Sequence, residues 1–201
     1  MASAAISPRA QRTRDALLAA GFELLAERPI DAIAIDDIVA RAGVAKGSFF
    51  NHFTDKPGFS QAIAEQVRRT LEARVDAANA AVTDPVERLA GGMRVAIEFA
   101  LEERQQAIVV MRGLESSTTI RADVEALVRA GLARPEAVRS GVRFWLGACQ
   151  IALLNTIERR PNRAEAAERL CEMAVLGLTG LGVDAARAQA AAEQAANRLN
   201  P

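Results

Sequence analysis

Lys46, Ser48, Asn51 and His52 lie within one short stretch, and their side chains are the kinds that bond phosphate oxygens and base edges. Phe49 and Phe53 recur among them at helical spacing, which predicts a helix pressed onto a core by its aromatic side with the polar residues on or near the outer side. His52 is the only histidine of the chain, so histidine-based triads and multi-histidine metal sites are excluded. No Gly-x-Ser-x-Gly elbow, Walker loop or Gly-x-Gly-x-x-Gly is present. Acidic residues are plentiful but no pair stands out, which leaves carboxylate chemistry open without supporting it. Cys149 and Cys171 are isolated, with no second ligand at metal spacing, and read as buried reduced thiols. No metal, cofactor or enzymatic activity is implied.

The elements that must position these residues follow from the apolar pattern. Ile35, Ile38 and Val39 form one stripe, Gly43 interrupts it, and Val44, Phe49 and Phe53 begin another, so two short helices share a small core across a tight turn. This is a helix-turn-helix. Its second helix, about Ala45 to Phe53, would protrude in a form that fits the major groove of DNA. Asp36 and Asp37 open the preceding helix, where carboxylates favour the positive end of the helix dipole. A first helix is expected over about Arg12 to Glu27, with Leu17, Phe22, Leu24 and Leu25 on its buried face and Arg28-Pro29 ending it. Before it, Ser7 to Arg14 reads as a flexible arm, either reaching DNA through Arg9 and Arg12 or simply solvated. Asp55 is placed to cap a fourth helix.

Charge does not decide for nucleic acid. The 201 residues balance 25 Lys and Arg against 25 Asp and Glu, and residues 1–60 hold seven of each sign. Binding to DNA would rest on where the cations sit, since neutralising phosphates needs only local charge. The same neutrality supports an alternative, a helical protein-interaction adaptor that reuses the unit without DNA; a helical enzyme with carboxylate chemistry is the third reading. Half of the residues are hydrophobic, enough for a sizeable core in two domains, and no stretch alternates with period two for long. The fold class expected is all-α: an N-terminal tri-helical helix-turn-helix domain with its arm over 1–56 and a helical domain over 57–201. The N-terminus lacks a signal-peptide pattern and no apolar run approaches the ~20 residues of a membrane span, so a cytoplasmic protein without a membrane partner is expected.

Arg14, Leu17, Leu18, Ala20, Leu24, Leu25 and Glu27, then Ile35 and Ile38, then Ala42-Gly43-Val44-Ala45-Lys46-Gly47-Ser48-Phe49-Phe50-Asn51-His52-Phe53 and Lys56, resemble the DNA-binding domain of the TetR family of one-component transcriptional repressors. The resemblance covers the first quarter to third of the chain. It implies contacts to double-stranded operator DNA from Ala45, Lys46, Gly47, Ser48, Phe50, Asn51, His52 and Lys56. Lys46, His52 and Lys56 would grip phosphates, and Ser48 and Asn51, with Ala45 or the Gly47 backbone, would face base edges or sugars. It also implies repression rather than activation. The chain departs from the family at Ala34, Val39, Phe50, Pro57 and Gly58; at Phe50 a phosphate-reaching tyrosine hydroxyl is replaced by a ring that can pack on sugar.

Beyond Lys56, helices are expected over about 57–79, 85–104, 105–114, 120–130, 134–159 and 163–181, with an alanine-rich tail helix over 184–199 whose docking the sequence leaves open. The helix from Arg134 carries Val138, Val142, Trp145, Leu146, Cys149, Leu153 and Ile157, and that from Arg163 carries Leu170, Met173, Ala174, Leu178 and Leu181. That is more apolar surface than one core-facing stripe needs, which predicts a homodimer through these two helices unless both are interior to a monomer. A two-fold dimer implies an inverted-repeat operator with half-sites ~34–36 Å apart. Met93, Ile97, Phe99, Met111, Trp145, Cys149 and Gln150 are candidates to line a pocket for a small apolar effector, although the same set at helical spacing also suits plain core.

Overall fold

A computed structural model describes residues 7–111 and 117–201. Among them there is no strand, and ten α-helices carry the fold. Spatially the chain divides into two units, Met1–Val67 and Arg68–Pro201.

In the first unit, α1 (Pro8–Glu27) begins where Ser7 accepts a hydrogen bond from the Ala10 amide at 3.2 Å and Pro8 occupies the first turn. This corrects the expected flexible arm. From Pro8 onward the segment carrying Arg9, Arg12 and Arg14 is helical, because a serine cap and an N-terminal proline together start a helix; residues 1–6 lie outside the described part. A short 3-10 turn (Ile30–Ala32) leads to α2 (Ile35–Ala42), α3 (Lys46–His52) and α4 (Lys56–Ala78). Ala34 offers no hydroxyl to cap α2, and Asp37 substitutes by accepting from the Ala34 amide at 3.4 Å while Arg28 bonds the same carboxylate at 2.8 Å. Gly43 ends α2 in the left-handed region at φ 66°, and the following Val44 amide bonds the Val39 carbonyl at 3.0 Å. The sharp turn that separates the two short helices depends on that glycine.

The core of this unit is aliphatic from α1 and α2 and aromatic from α3 and α4. Leu17, Leu25, Ile38, Phe49, Phe59 and Ile63 are fully buried. The rings of Phe49, Phe53 and Phe59 meet with centroids 5.0–5.5 Å apart, in tilted and edge-on arrangements that aromatic pairs favour. Phe22, expected in this core, is only half-buried.

The second unit begins with the last turns of α4 and continues through α5 (Pro85–Glu102), α6 (Arg104–Met111), α7 (Thr118–Arg129), α8 (Gly141–Arg159), α9 (Arg163–Leu181) and α10 (Ala185–Leu199). The helix expected over 134–159 is broken: a 3-10 turn (Pro135–Val138) precedes α8, as the proline cannot continue a helix backward. Asp84, Ser117, Asn162 and Asp184 each accept an amide of the helix they precede. The end of the helix expected to reach residue 114 lies outside the described residues. The tail helix is not loose. It packs on α9 and α5, with Ala188, Ala191, Ala192, Ala195 and Leu199 buried. No helix of the described residues is long and apolar enough to cross a membrane.

Candidate nucleic-acid interface and apolar cavity

The helix α3 is a platform with two sides. Phe49 is 0% exposed and holds it to the core, whereas Phe50 is 51% exposed and Ala45, Lys46, Gly47 and Asn51 face solvent. Ser48 and His52 are half-buried beside them. A Cβ added at Gly47 would meet nothing within 4 Å, so this side of the helix is open at the surface of the described residues. Of the residues expected to contact DNA, seven therefore lie on or next to α3; the eighth, Lys56, opens α4, where Asp55 caps the helix by accepting the Gly58 amide at 2.7 Å.

Both lysines have partners within the unit. Lys46 Nζ lies 2.7 Å from an Asp36 carboxylate oxygen, with both side chains well exposed, and Lys56 Nζ donates to the Asp31 carbonyl at 2.7 Å. An exposed ion pair contributes about 0–1 kcal/mol, so exchanging Asp36 for a phosphate costs little. Arg41 is engaged elsewhere: it bridges Glu23 at 3.3 Å and Glu27 at 3.0 Å, and the hydrogen bond to Glu27 first, then that to Glu23, raises its pKa. The neutral sum of charges thus conceals a sorting, with two carboxylates of α1 tied to Arg41 and not to the lysines of the candidate surface.

This arrangement agrees with what the chain is similar to. Residues 17–63 match the family model described as "Bacterial regulatory proteins, tetR family". The match is to the helix-turn-helix part of the chain, about a quarter of its length. Among curated relatives, the HTH-type transcriptional repressor BepR of Brucella suis biovar 1 (strain 1330) is 33% identical over 101 residues, 49% of this chain and 48% of that protein. The HTH-type transcriptional repressor KstR2 of Mycolicibacterium smegmatis (strain ATCC 700084 / mc(2)155) is 30% identical over 97 residues, 48% of this chain and 47% of that protein. The chain thus spans about half the length of the curated relatives it matches. The fold extends over more of the chain: a crystal structure of RolR in complex with resorcinol is similar with a TM-score of 0.74 at 24% identity, over 92% of this chain and 95% of that one.

The second unit holds a partly open apolar cavity of about 70 Å³. Leu71 and Val75 of α4, Leu89 and Gly92 of α5, Ile120 of α7 and Trp145 of α8 form much of its wall. Of the residues expected to line a pocket, only Trp145 and Cys149 do so. Met93, Ile97 and Phe99 are 0–2% exposed and belong to close-packed interior, Phe99 with the Arg74 guanidinium 5.1 Å above its ring; Met111 and Gln150 are half-buried outside the lining. The lining of the cavity is corrected accordingly: α4 and α7 supply it where α6 was expected to. Half-buried Cys149 has its thiol pushed up to about 12 by loss of solvent, so it presents a neutral wall.

The sequence reading missed the polar group of this cavity. Asp123 is 5% exposed and accepts from Arg88 Nε at 2.6 Å. Arg88 is itself anchored, donating from Nη1 to the Asn79 carbonyl at 3.0 Å and the Val82 carbonyl at 3.3 Å. Burial raises the Asp123 pKa, and the bond to Arg88 opposes it. The sign follows for stability: this carboxyl contributes fully below its ordinary value of 3.8, and the contribution is lost as pH rises through the raised value.

A second correction concerns α8 and α9. Val142, Trp145, Leu146, Leu153, Ile157, Leu170, Ala174, Leu178 and Leu181, on which a dimer face was argued, are buried in the unit's own core. Gly177 makes room for Trp145, whose ring carbon would lie 2.6 Å from any Cβ there. The exposed apolar residues of the same helices are different ones: Phe144, Ile151 and Leu154 on α8 and Leu176 on α9, between 36% and 68% exposed.

Proposed function

We propose that this chain is a DNA-binding transcriptional regulator, acting as a dimeric repressor that a small molecule releases from an inverted-repeat operator. The observation that carries the reading is α3, pinned by fully buried Phe49 while Lys46, Asn51 and Phe50 stand outward. The match of residues 17–63 to the tetR family model and relatives named as repressors support the same reading. A regulator of this kind acts in the cytoplasm, where its DNA is, with a DNA-binding domain over 1–56 and a dimerising, effector-binding domain over 57–201.

The dimer rests on the stripe of Phe144, Ile151, Leu154 and Leu176, apolar surface that a monomer seldom leaves in water. Paired about a two-fold axis, α8 and α9 of each subunit would form a four-helix interface, which sets the symmetry of the operator. Release rests on α4. One uninterrupted helix begins at Lys56 and carries Leu71 and Val75 in the cavity wall, so a ligand that displaces those side chains moves the helix that also holds Lys56. Lowering operator occupancy tenfold requires only ~1.4 kcal/mol of differential affinity for the released state.

The direct test is binding of a labelled fragment of the upstream region of the chain's own gene against excess competitor DNA. A saturable, footprinted complex is expected; no specific complex across the whole flanking region would favour the adaptor reading. Within a specific complex, Asn51→Ala is expected to cost ~1–3 kcal/mol preferentially on the operator, while Lys56→Ala weakens all sequences alike and reduces the salt slope by about one. Lys56→Ala changing sequence preference with an unaltered salt slope would overturn the assignment. Gly47→Ala separates contact from fold, since the added methyl meets nothing and the helix gains roughly 0.5–1 kcal/mol. Weakened DNA binding in this more stable variant would mark Gly47 as a point of close approach; undiminished binding would remove it from the interface.

A further inference from the structure

The cavity's own polar groups restrict what it can hold. Asp123 lines it and is nearly fully buried, and its Oδ1 takes the Arg88 bond at 2.6 Å. Its other oxygen, Oδ2, accepts no hydrogen bond from any described residue. With the Arg88 bond confined to Oδ1, this second oxygen is left to accept from a ligand donor. Charge is already balanced: Arg88 stands against Asp123, and at the wall Arg68 Nη1 lies 2.5 Å from Glu72. A cationic ligand would find no uncommitted carboxylate charge, and an anionic one would be set beside Asp123 in a medium that screens poorly. The remaining wall is aliphatic and aromatic apart from Ser117, Thr119 and Cys149, and since an apolar cavity of ~150 Å³ is known to take benzene, about 70 Å³ admits a single ring at most, and that only as the wall yields.

We propose that the cavity selects a small neutral molecule, at most one ring, whose hydroxyl donates to Asp123 Oδ2 while Trp145, Leu71 and Val75 cover its apolar part. This rests on the reading of the cavity as the effector site and names the chemical class of the effector. Arg88 then acts as a positioning residue, holding the carboxylate at Oδ1 so that Oδ2 faces the ligand.

The test is calorimetric titration of the full chain with four probes of similar size: phenol, toluene, benzoate and benzylammonium. Phenol is expected to bind about tenfold more tightly than toluene, a difference of ~1.4 kcal/mol, with both charged probes weaker than toluene. Toluene matching phenol, or either ion binding best, would overturn the proposal. Asp123→Leu should erase the preference for phenol while toluene still binds. Because that change strands Arg88 and can unfold the unit, Gly92→Ala provides an independent check. A Cβ at Gly92 would sit 3.5 Å from Val75 Cγ1, in ordinary contact, so the variant folds and fills part of the cavity. All binding probes should weaken about fivefold in it, since less room remains for a ring. Binding untouched by Gly92→Ala, or no binding by any probe, would defeat the cavity as a ligand site, and the proposal with it. Binding that Gly92→Ala weakens but that shows no preference for the hydroxyl would defeat the donor inference alone and leave the effector site standing.

Discussion

Replacing Phe49 with alanine is expected to destabilise the first unit by about 3–5 kcal/mol and to abolish operator binding. The magnitude follows from the position of the ring. It is 0% exposed, and its neighbours Phe53 and Phe59 stand with centroids 5.5 and 5.4 Å away, so its removal leaves a cavity that rigid aromatic rings fill poorly. Since domains are stable by only about 5–15 kcal/mol, a loss of this size spends most of the margin of a small unit. The two units can be watched separately. The single tryptophan, Trp145, is buried in the second unit, so its fluorescence reports there, while far-ultraviolet dichroism reports helices throughout. In urea, Phe49→Ala should lose part of its dichroism well before its fluorescence changes. Coincident transitions at the wild-type midpoint would show that the aromatic cluster is not what holds α3.

The second large effect is expected from the exposed stripe. Ile151 and Leu176 are 53% and 68% exposed, so the double change Ile151→Glu, Leu176→Glu should alter the stability of an isolated subunit by no more than about 0.5 kcal/mol per site. Across a two-fold interface every carboxylate would appear twice, buried without a partner, at a cost of several kcal/mol per ion. The variant should scatter light as a single chain at micromolar concentration where the wild type scatters as a pair. Loss of the second half-site should lower operator affinity by about 10²–10⁴-fold, the size of the avidity forfeited. Wild-type protein that scatters as one chain, or a double variant that stays paired, would refute the interface.

How far the sequence could be read depended on whether a residue's neighbours lay near it in the chain. The helix-turn-helix was legible because Ile35, Ile38, Gly43, Phe49 and Phe53 specify both helices and the turn within about twenty residues. The start of α1 is signalled locally too, by the Ser7-Pro8 pair that caps and opens it. On α8 the apolar residues fall into two stripes, and nothing in their periodicity tells which one Trp145 commits to the interior. That was decided by Gly177, thirty-two residues away, which leaves space for the ring. The cavity lining was the least legible part, since it is assembled from α4, α5, α7 and α8. One sign of it was present, however. Asp123 shares the apolar stripe of Ile120, Val124 and Leu127 at helical spacing, and a carboxylate in that register demands a partner.

The docking of α10 reverses what its composition suggests about tolerance to mutation. An alanine-rich tail looks like the part of a chain where almost any residue is acceptable. Ala188 and Ala192 are instead 0% exposed and Ala191 and Ala195 5%, set against α9 and α5, and Arg163 bonds the Leu199 carbonyl at 3.2 Å near the very end. A methyl group is the largest side chain that such a close helix approach admits, so even valine at these positions must push backbones apart. Random substitution should therefore be purged from 188, 191, 192 and 195 as strictly as from the aromatic core, while the neighbouring Ala185, Ala186 and Gln189, which face solvent, drift freely.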